Sequence, residues 1–155
     1  MVDLTIKLVE SQEEVDKLAE IIKVALQKER KYFPLKPCGN ETPELCISKY
    51  RHGKYEMLAA FLRENIIDWI GFAVGIEKGD EYFSDGLYVL PEFRSRGIGT
   101  QLKKAQIELA RKRGCKSIKT YIERDNISSI RVQEKTGFTI YRWGGDYCCA
   151  ALTIS

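Results

Sequence analysis

The sequence predicts a mixed α/β fold, and three observations carry that reading. Short runs of period-two apolar alternation recur along the chain, longer segments carry apolar residues at helical spacing, and no repeat, low-complexity tract or linker interrupts them. A length of 155 residues suits one core that buries roughly two-thirds of the unfolded surface. One domain is therefore expected over residues 1–155.

Taken in order, Leu4, Ile6 and Leu8 alternate with polar or mixed neighbours and predict a first strand. Ser11, with Glu14 three residues on, is a capping box that opens a helix. Its stripe of Val15, Leu18, Ala19, Ile22, Ala25 and Leu26 is one helical face, expected to pack on a sheet. Pro34, Pro37 and Pro43 stop that helix in favour of a loop or a short second helix between Tyr32 and Pro43. Tyr55 to Leu62 and Ile66 to Ile76 then read as an antiparallel hairpin around Arg63-Glu64-Asn65, with Lys78-Gly79-Asp80 as the next turn. A fourth strand, Tyr82 to Leu90, ends at Pro91. Leu102, Ala105 and Leu109 mark a second strong helix closing near Gly114. Ile118, Thr120 and Ile122 predict a fifth strand, Asn126 begins a short helix that ends at Gly137, and Phe138 to Arg142 and Tyr147 to Ile154 read as two final strands.

Composition excludes several function classes. With hydrophobic residues at 44% and charged residues at 30%, and no long uncharged apolar run, neither a membrane span nor membrane binding is expected. The start, MVDLTIKLVE, mixes charged with apolar residues and does not resemble a secretory signal, so a cytoplasmic location is expected. The net charge of +3 is too small to imply nucleic acid, and the basic runs KERK and RKRGCK lack the aromatic interleaving of a base-stacking surface. Cys38, Cys46, Cys115, Cys148 and Cys149 form no CxxC pair and leave one over after pairing, which predicts free thiols and no zinc. Cys148 and Cys149 should face opposite sides of a strand. With His52 as the sole histidine, any histidine-based nucleophilic or metal mechanism would have to run through it, and it is expected at the surface.

The run LYVLPEFRSRGIGTQL places a turn of glycine and arginine between a strand and a helix. Backbone N–H groups entering a helix N-terminus converge there, and the helix dipole adds roughly half a positive charge. Gly97 and Gly99 remove Cβ atoms that would hold a pyrophosphate away, while Arg94 and Arg96 can add charge-assisted bonds. The lysine followed by serine or threonine of a nucleotide P-loop is absent, as is the third glycine of a dinucleotide fingerprint. On these residues alone, a tight turn with a solvated basic face remains the alternative.

The same residues resemble the GCN5-related N-acetyltransferase (GNAT) family, whose pyrophosphate loop reads Arg/Gln-x-x-Gly-x-Gly/Ala. Arg94, Gly97 and Gly99 match it, and the likeness extends from about Tyr82 through LYVLPE, a helix, a strand and an asparagine to EKTGF, Glu134 to Phe138. The resemblance implies a mostly antiparallel central sheet of about six or seven strands with helices on both faces, and transfer of an acetyl group from acetyl-coenzyme A directly to an acceptor amine. It implies that Leu87, Tyr88 and Val89 pair with the pantetheine arm, with the Val89 N–H as oxyanion donor. Arg94, Ser95, Arg96, Gly97, Ile98, Gly99 and Thr100 would hold the pyrophosphate. Asn126, Ser129 and Gln133 would line the arm, although Asn126 also suits an ordinary helix N-cap.

Gln133 is a departure, because family members often carry there a tyrosine that can protonate the departing thiolate. A glutamine can donate a hydrogen bond to sulfur but has no proton to give at neutral pH. Deprotonating a lysine-like amine at pH 7 costs about 4.6 kcal/mol, against about 1 for an α-amine, so the need for a base depends on the acceptor. Glu81 and Asp85 are the candidate bases, with Tyr88 as a lesser helper. The acceptor, whether small molecule, peptide or protein, the acyl preference and the choice between monomer and homodimer stay open. A coenzyme A-binding sensor without turnover is the competing reading that Gln133 admits.

Overall fold

The structure is a computed structural model that describes residues 3–28, 55–63 and 68–154. The expected irregular stretch from Tyr32 to Pro43, the tip of the hairpin at Glu64 and Asn65, His52, Cys38 and Cys46 lie outside the described residues. Seven strands form one sheet: β1 (Leu4–Leu8), β2 (Glu56–Leu62), β3 (Trp69–Lys78), β4 (Glu81–Val89), β5 (Ser117–Glu123), β6 (Thr139–Gly144) and β7 (Tyr147–Thr153). Among the described residues three helices accompany them, α1 (Gln12–Lys28), α2 (Ile98–Lys112) and α3 (Ile127–Lys135), with a 3-10 turn at Pro91–Phe93 that the sequence reading did not anticipate.

The strand order is β1-β2-β3-β4-β5-β7-β6. Every neighbouring pair is antiparallel except β4 with β5. A parallel pair needs a long crossover, and α2 supplies it. The mixed, mostly antiparallel sheet with helices on both faces matches the predicted architecture.

The helix starts follow from local chemistry. At α1 the Ser11 hydroxyl accepts from the Glu14 N–H (3.1 Å), and the Glu14 carboxylate accepts from the Ser11 N–H (3.4 Å), closing the capping box. Glu14 also pairs with Lys7 on β1 at 2.6 Å, tying helix to sheet, and the lysine's hydrogen bond holds its carboxyl below the usual range. At α3 the Asn126 side chain accepts from the Ser129 N–H (3.3 Å), so it does cap that helix.

The sheet separates two apolar clusters. Leu18, Ala19 and Ile22 of α1 pack on Ala59, Phe61, Phe72 and Val74, while Leu102 and Ala110 of α2 pack on Ala73, Tyr82, Ile118 and Ala150 across the other face. Because both faces are covered, β2 and β3 read as near-continuous apolar runs rather than alternating ones. Cys148 lies in the α2 cluster, whereas its neighbour Cys149 is buried but belongs to neither cluster; with Cys115 they are free thiols. Among the described residues no helix is long and apolar enough to cross a membrane, and no group of three or more metal-ligating side chains comes together.

Gly71 on β3 sits opposite Val89, hard against the β4 backbone. A Cβ there would lie 2.7 Å from the Tyr88 carbonyl oxygen, an atom that cannot rotate away. Gly71→Ala is therefore expected to destabilise the fold by about 1–3 kcal/mol, the usual range for overpacking. A urea midpoint lowered at unchanged slope checks it.

Candidate functional site

Parallel pairing between β4 and β5 covers Glu81 to Ser84 against Ser117 to Thr120 and then stops. Beyond that point the strands part. A bulge contributes to the separation: Ser84 faces Gly75 and Gly86 faces Val74, so Asp85 is an extra residue on β4. The Leu90 N–H bonds the Ile70 carbonyl across to β3 (2.8 Å). By alternation, the backbone groups of Val89 and Leu87 turn away from β3, toward the gap.

The gap continues into the glycine and arginine loop. The Arg94 Nε donates back to the Val89 carbonyl (2.9 Å), and its guanidinium lies 5.4 Å from the Tyr88 ring centroid, so the loop is tied to the strand it follows. Ser95 (φ 63°) and Gly97 (φ 80°) take left-handed conformations that curl the chain into α2. No side chain caps Gly97, and the first intrahelical bond runs from the Gln101 N–H to the Gly97 carbonyl. The N–H groups of Ile98, Gly99 and Thr100 thus have no acceptor within the helix, which gives that end its affinity for anions. Gly99 faces Leu87, Val89 and Val132, where a Cβ would make ordinary contacts at 3.5–3.8 Å.

Two spaces with shared lining lie along the gap. A cleft of about 740 Å³ is lined by Leu87, Tyr88 and Val89, by Arg94, Ser95 and Gly97 to Thr100, and by Asn126 and Ser129 with other α3 residues. A pocket of about 190 Å³ lies at the point of divergence, lined by Ser84, Asp85, Lys103, Thr120, Glu123 and Gln133 among others. Leu87, Asn126 and Ser129 border both.

Most sequence-predicted residues thus converge. Arg96 is exposed beside the loop, its guanidinium over the Phe93 ring at 5.5 Å, and does not line the cleft. Glu81 pairs with Lys119 (2.9 Å) at the far end of β4, eight residues and about 26 Å along the strand from Val89. Asp85 sits in the bulge, at the pocket's exposed rim, with Glu123 lining the same pocket.

The sequence reading missed Lys103, which is 0% exposed. Its Nζ donates to the Ser84 hydroxyl (2.7 Å) and the Gln106 side-chain carbonyl (2.9 Å). Gln106 in turn donates to the Val74 carbonyl (3.1 Å). Burial pushes the Lys103 ammonium down to about 7. The available signal was its place four residues before Ile107 and seven before Ala110, a buried helical row. Gln133 is also buried, and its Oε1 has no hydrogen-bond partner.

Residues 16–138 match the profile of the Acetyltransferase (GNAT) family. An uncharacterised N-acetyltransferase of Methanocaldococcus jannaschii is 35% identical over 71 residues, 46% of this chain and 30% of that protein. An aminoglycoside N(6')-acetyltransferase type 1 of Salmonella typhimurium is 31% identical over 64 residues, 41% of this chain and 44% of that one. The aligned stretches span less than half the length of these curated relatives. In fold, the chain is similar to the PaiA N-acetyltransferase of Thermoplasma acidophilum solved with coenzyme A, at a TM-score of 0.67 and 18% identity, covering 97% of this chain and 99% of that one.

The buried lysine has a stability signature. Its folded value of about 7 lies below the ordinary 10.5, so the unfolded chain binds more protons between those values and stability rises with pH across that window. Lys103→Met removes this burden, and the variant is expected to be more stable than the parent near pH 6. The advantage should shrink as pH rises from about 7 toward 10.5. Urea unfolding of both chains at several pH values tests the sign and the window.

Proposed function

The chain belongs to the GNAT acetyltransferase family, and on that premise we propose that it moves an acetyl group from acetyl-coenzyme A directly to an acceptor amine held in the same complex. The observation that carries the proposal is the end of β4 left unpaired by β5 beside a helix N-terminus rich in glycine and arginine. A pantetheine arm is an extended chain with amide groups, and Leu87 and Val89 offer it the backbone edge that a further strand would use. Its pyrophosphate would lie against the N–H groups of Ile98, Gly99 and Thr100, with Arg94 adding charge from the cleft wall and Arg96 only at longer range from beside the loop. The family's affinity for coenzyme A, seen in the Thermoplasma relative solved with it, agrees with that fit.

With the pyrophosphate end fixed at the loop, the thioester end points toward the divergence of the strands. The Val89 N–H, on the gap-facing edge of β4 along which the arm runs, is the proposed oxyanion donor, since a fixed backbone dipole stabilises charge that develops on the carbonyl without reorganising. Asn126 serves twice, capping α3 with one oxygen and presenting its amide to the arm alongside Ser129. Of the two candidate bases, Asp85 is favoured by its place in the bulge, where a carboxylate meets an amine entering from the exposed rim. Glu81, paired with Lys119, is the second candidate and would need a relay to reach that point. The carboxylates of Asp85 and Glu123 suit a cationic acceptor, and the aminoglycoside acetyltransferase among the relatives acts on an amine of that charge class.

Gln133 motivates one competing reading, a coenzyme A sensor with little turnover, because an amide is no proton donor. Thiol release from acetyl-coenzyme A across a panel of amines, run beside a thermal shift on cofactor addition, separates the two. Turnover together with a raised Tm is expected. A raised Tm without turnover favours the sensor, and no shift with acetyl or longer acyl forms overturns both readings. Arg94→Ala is expected to weaken coenzyme A binding about tenfold, the scale of one charge-assisted contact; calorimetric titration measures it. Replacing Asp85 and Glu81 by their amides should remove the acid limb of the pH–rate profile if either is the base, and an unchanged profile discards that assignment.

A further inference from the structure

Breaking a thioester leaves a thiolate that must gain a proton, and Gln133 has none to give. The pocket at the divergence holds a group that does. Lys103 reaches it from α2, where two of its three ammonium protons are spent on the Ser84 hydroxyl and the Gln106 carbonyl. The third makes no hydrogen bond among the described residues, and the side chain lines the pocket. The amine is held in place: Ser84 donates onward to Gln106 (2.8 Å), Gln106 is anchored on the Val74 carbonyl, and the Phe138 ring lies 5.4 Å from Nζ. A flexible surface lysine would lose far more freedom on engaging a ligand.

We propose, on the reading that this chain is an acetyltransferase, that Lys103 is the proton donor to the departing coenzyme A thiolate. The placement follows from continuity. An arm fixed at the loop and paired along Leu87 and Val89 delivers its sulfur end to the boundary that the cleft shares with the pocket, at Leu87, Asn126 and Ser129. Gln133 lines that pocket as well, and its unpartnered Oε1 is an acceptor for the thiol once the sulfur is protonated.

The step balances without an added reagent. The acceptor nitrogen bonds to the carbonyl carbon, the carbon–sulfur bond breaks with its electron pair on sulfur, and sulfur takes the proton from Lys103. The proton shed by the acceptor nitrogen restores the ammonium. The direction is downhill, because burial holds Lys103 at about 7 and an ordinary thiol titrates near 8.5. The charged or titratable groups lining the same pocket are Asp85 from β4, Tyr121 and Glu123 from β5 and Tyr147 from β7; α3 contributes only the uncharged Asn126, Ser129 and Gln133. Burial is what displaces the lysine, and it leaves the group near its midpoint at neutral pH.

Lys103→Met keeps most of the length of the side chain and deletes the ammonium. In a variant shown by urea unfolding to be folded, kcat with acetyl-coenzyme A is expected to fall about a hundredfold, the lower end of what positioned proton transfer contributes. KM for the cofactor should change less than about threefold. The parent is expected to lose activity above about pH 7 as Lys103 loses its proton, and that limb should be absent from the variant's profile. A second readout needs no turnover: ultraviolet titration of coenzyme A bound to each protein should show the thiolate forming at lower pH in the parent than in Lys103→Met. A folded variant with parental kcat, the same alkaline limb and the same thiolate titration overturns the proposal and leaves the transferase reading intact. A parent protein that binds coenzyme A and acetylates no amine overturns both.

Discussion

The rest of the structure depends on where two parallel strands stop pairing. Up to Ser84 and Thr120, β4 and β5 form an ordinary ladder, and past them the backbone of β4 has no paired strand on that side among the described residues. An unpaired edge inside a sheet carries polar groups that want partners, which a ligand shaped like a strand can supply. The bulge at Asp85 and the curled loop after Val89 both belong to this one opening. So does the crossover helix, because only a parallel pair forces the chain to climb over the sheet and begin α2 at the mouth of the gap.

Chemistry accumulates at that opening for physical reasons. The start of α2 offers N–H groups and a positive dipole end, and Lys103 and Gln133 are buried at the back of the gap, where a charge acts at greater strength than on the surface. Lys103 is the extreme case. A buried ammonium costs folding energy, about 5 kcal/mol on the scale of its displacement to about 7. Its hydrogen bonds to Ser84 and Gln106 offset part of that cost. Residues so expensive to bury concentrate where function needs a perturbed proton affinity.

Much of this was legible in the sequence. The capping box at Ser11, the glycine at 97 and the asparagine at 126 each act locally, through bonds spanning three or four residues, and local rules find them. EKTGF and RSRGIG, read together, pointed to the GNAT family, to which the chain belongs. What the sequence hid was set by pairing between distant segments. That β7 inserts between β5 and β6, or that the 3-10 turn follows Pro91, has no local signature. Glu81 and Asp85 look equivalent on a strand of alternating residues, and only the bulge separates the one at the rim from the one bound to Lys119. Lys103 escaped notice because a lysine beside leucines on a helix ordinarily marks the solvent face.

The strand order also bears on how the chain reaches its native state. β2, β3 and β4 are consecutive hairpin neighbours, as are β6 and β7, so each group closes over short stretches of chain. The seam between β4 and β5 joins them through four paired residues after a crossover of more than twenty. Loop closure makes such a contact slow to form relative to hairpins. The gap on which the protein's chemistry rests therefore exists only once both halves of the sheet have met, and a ligand that occupies it acts on an assembled chain and cannot guide the early steps of folding.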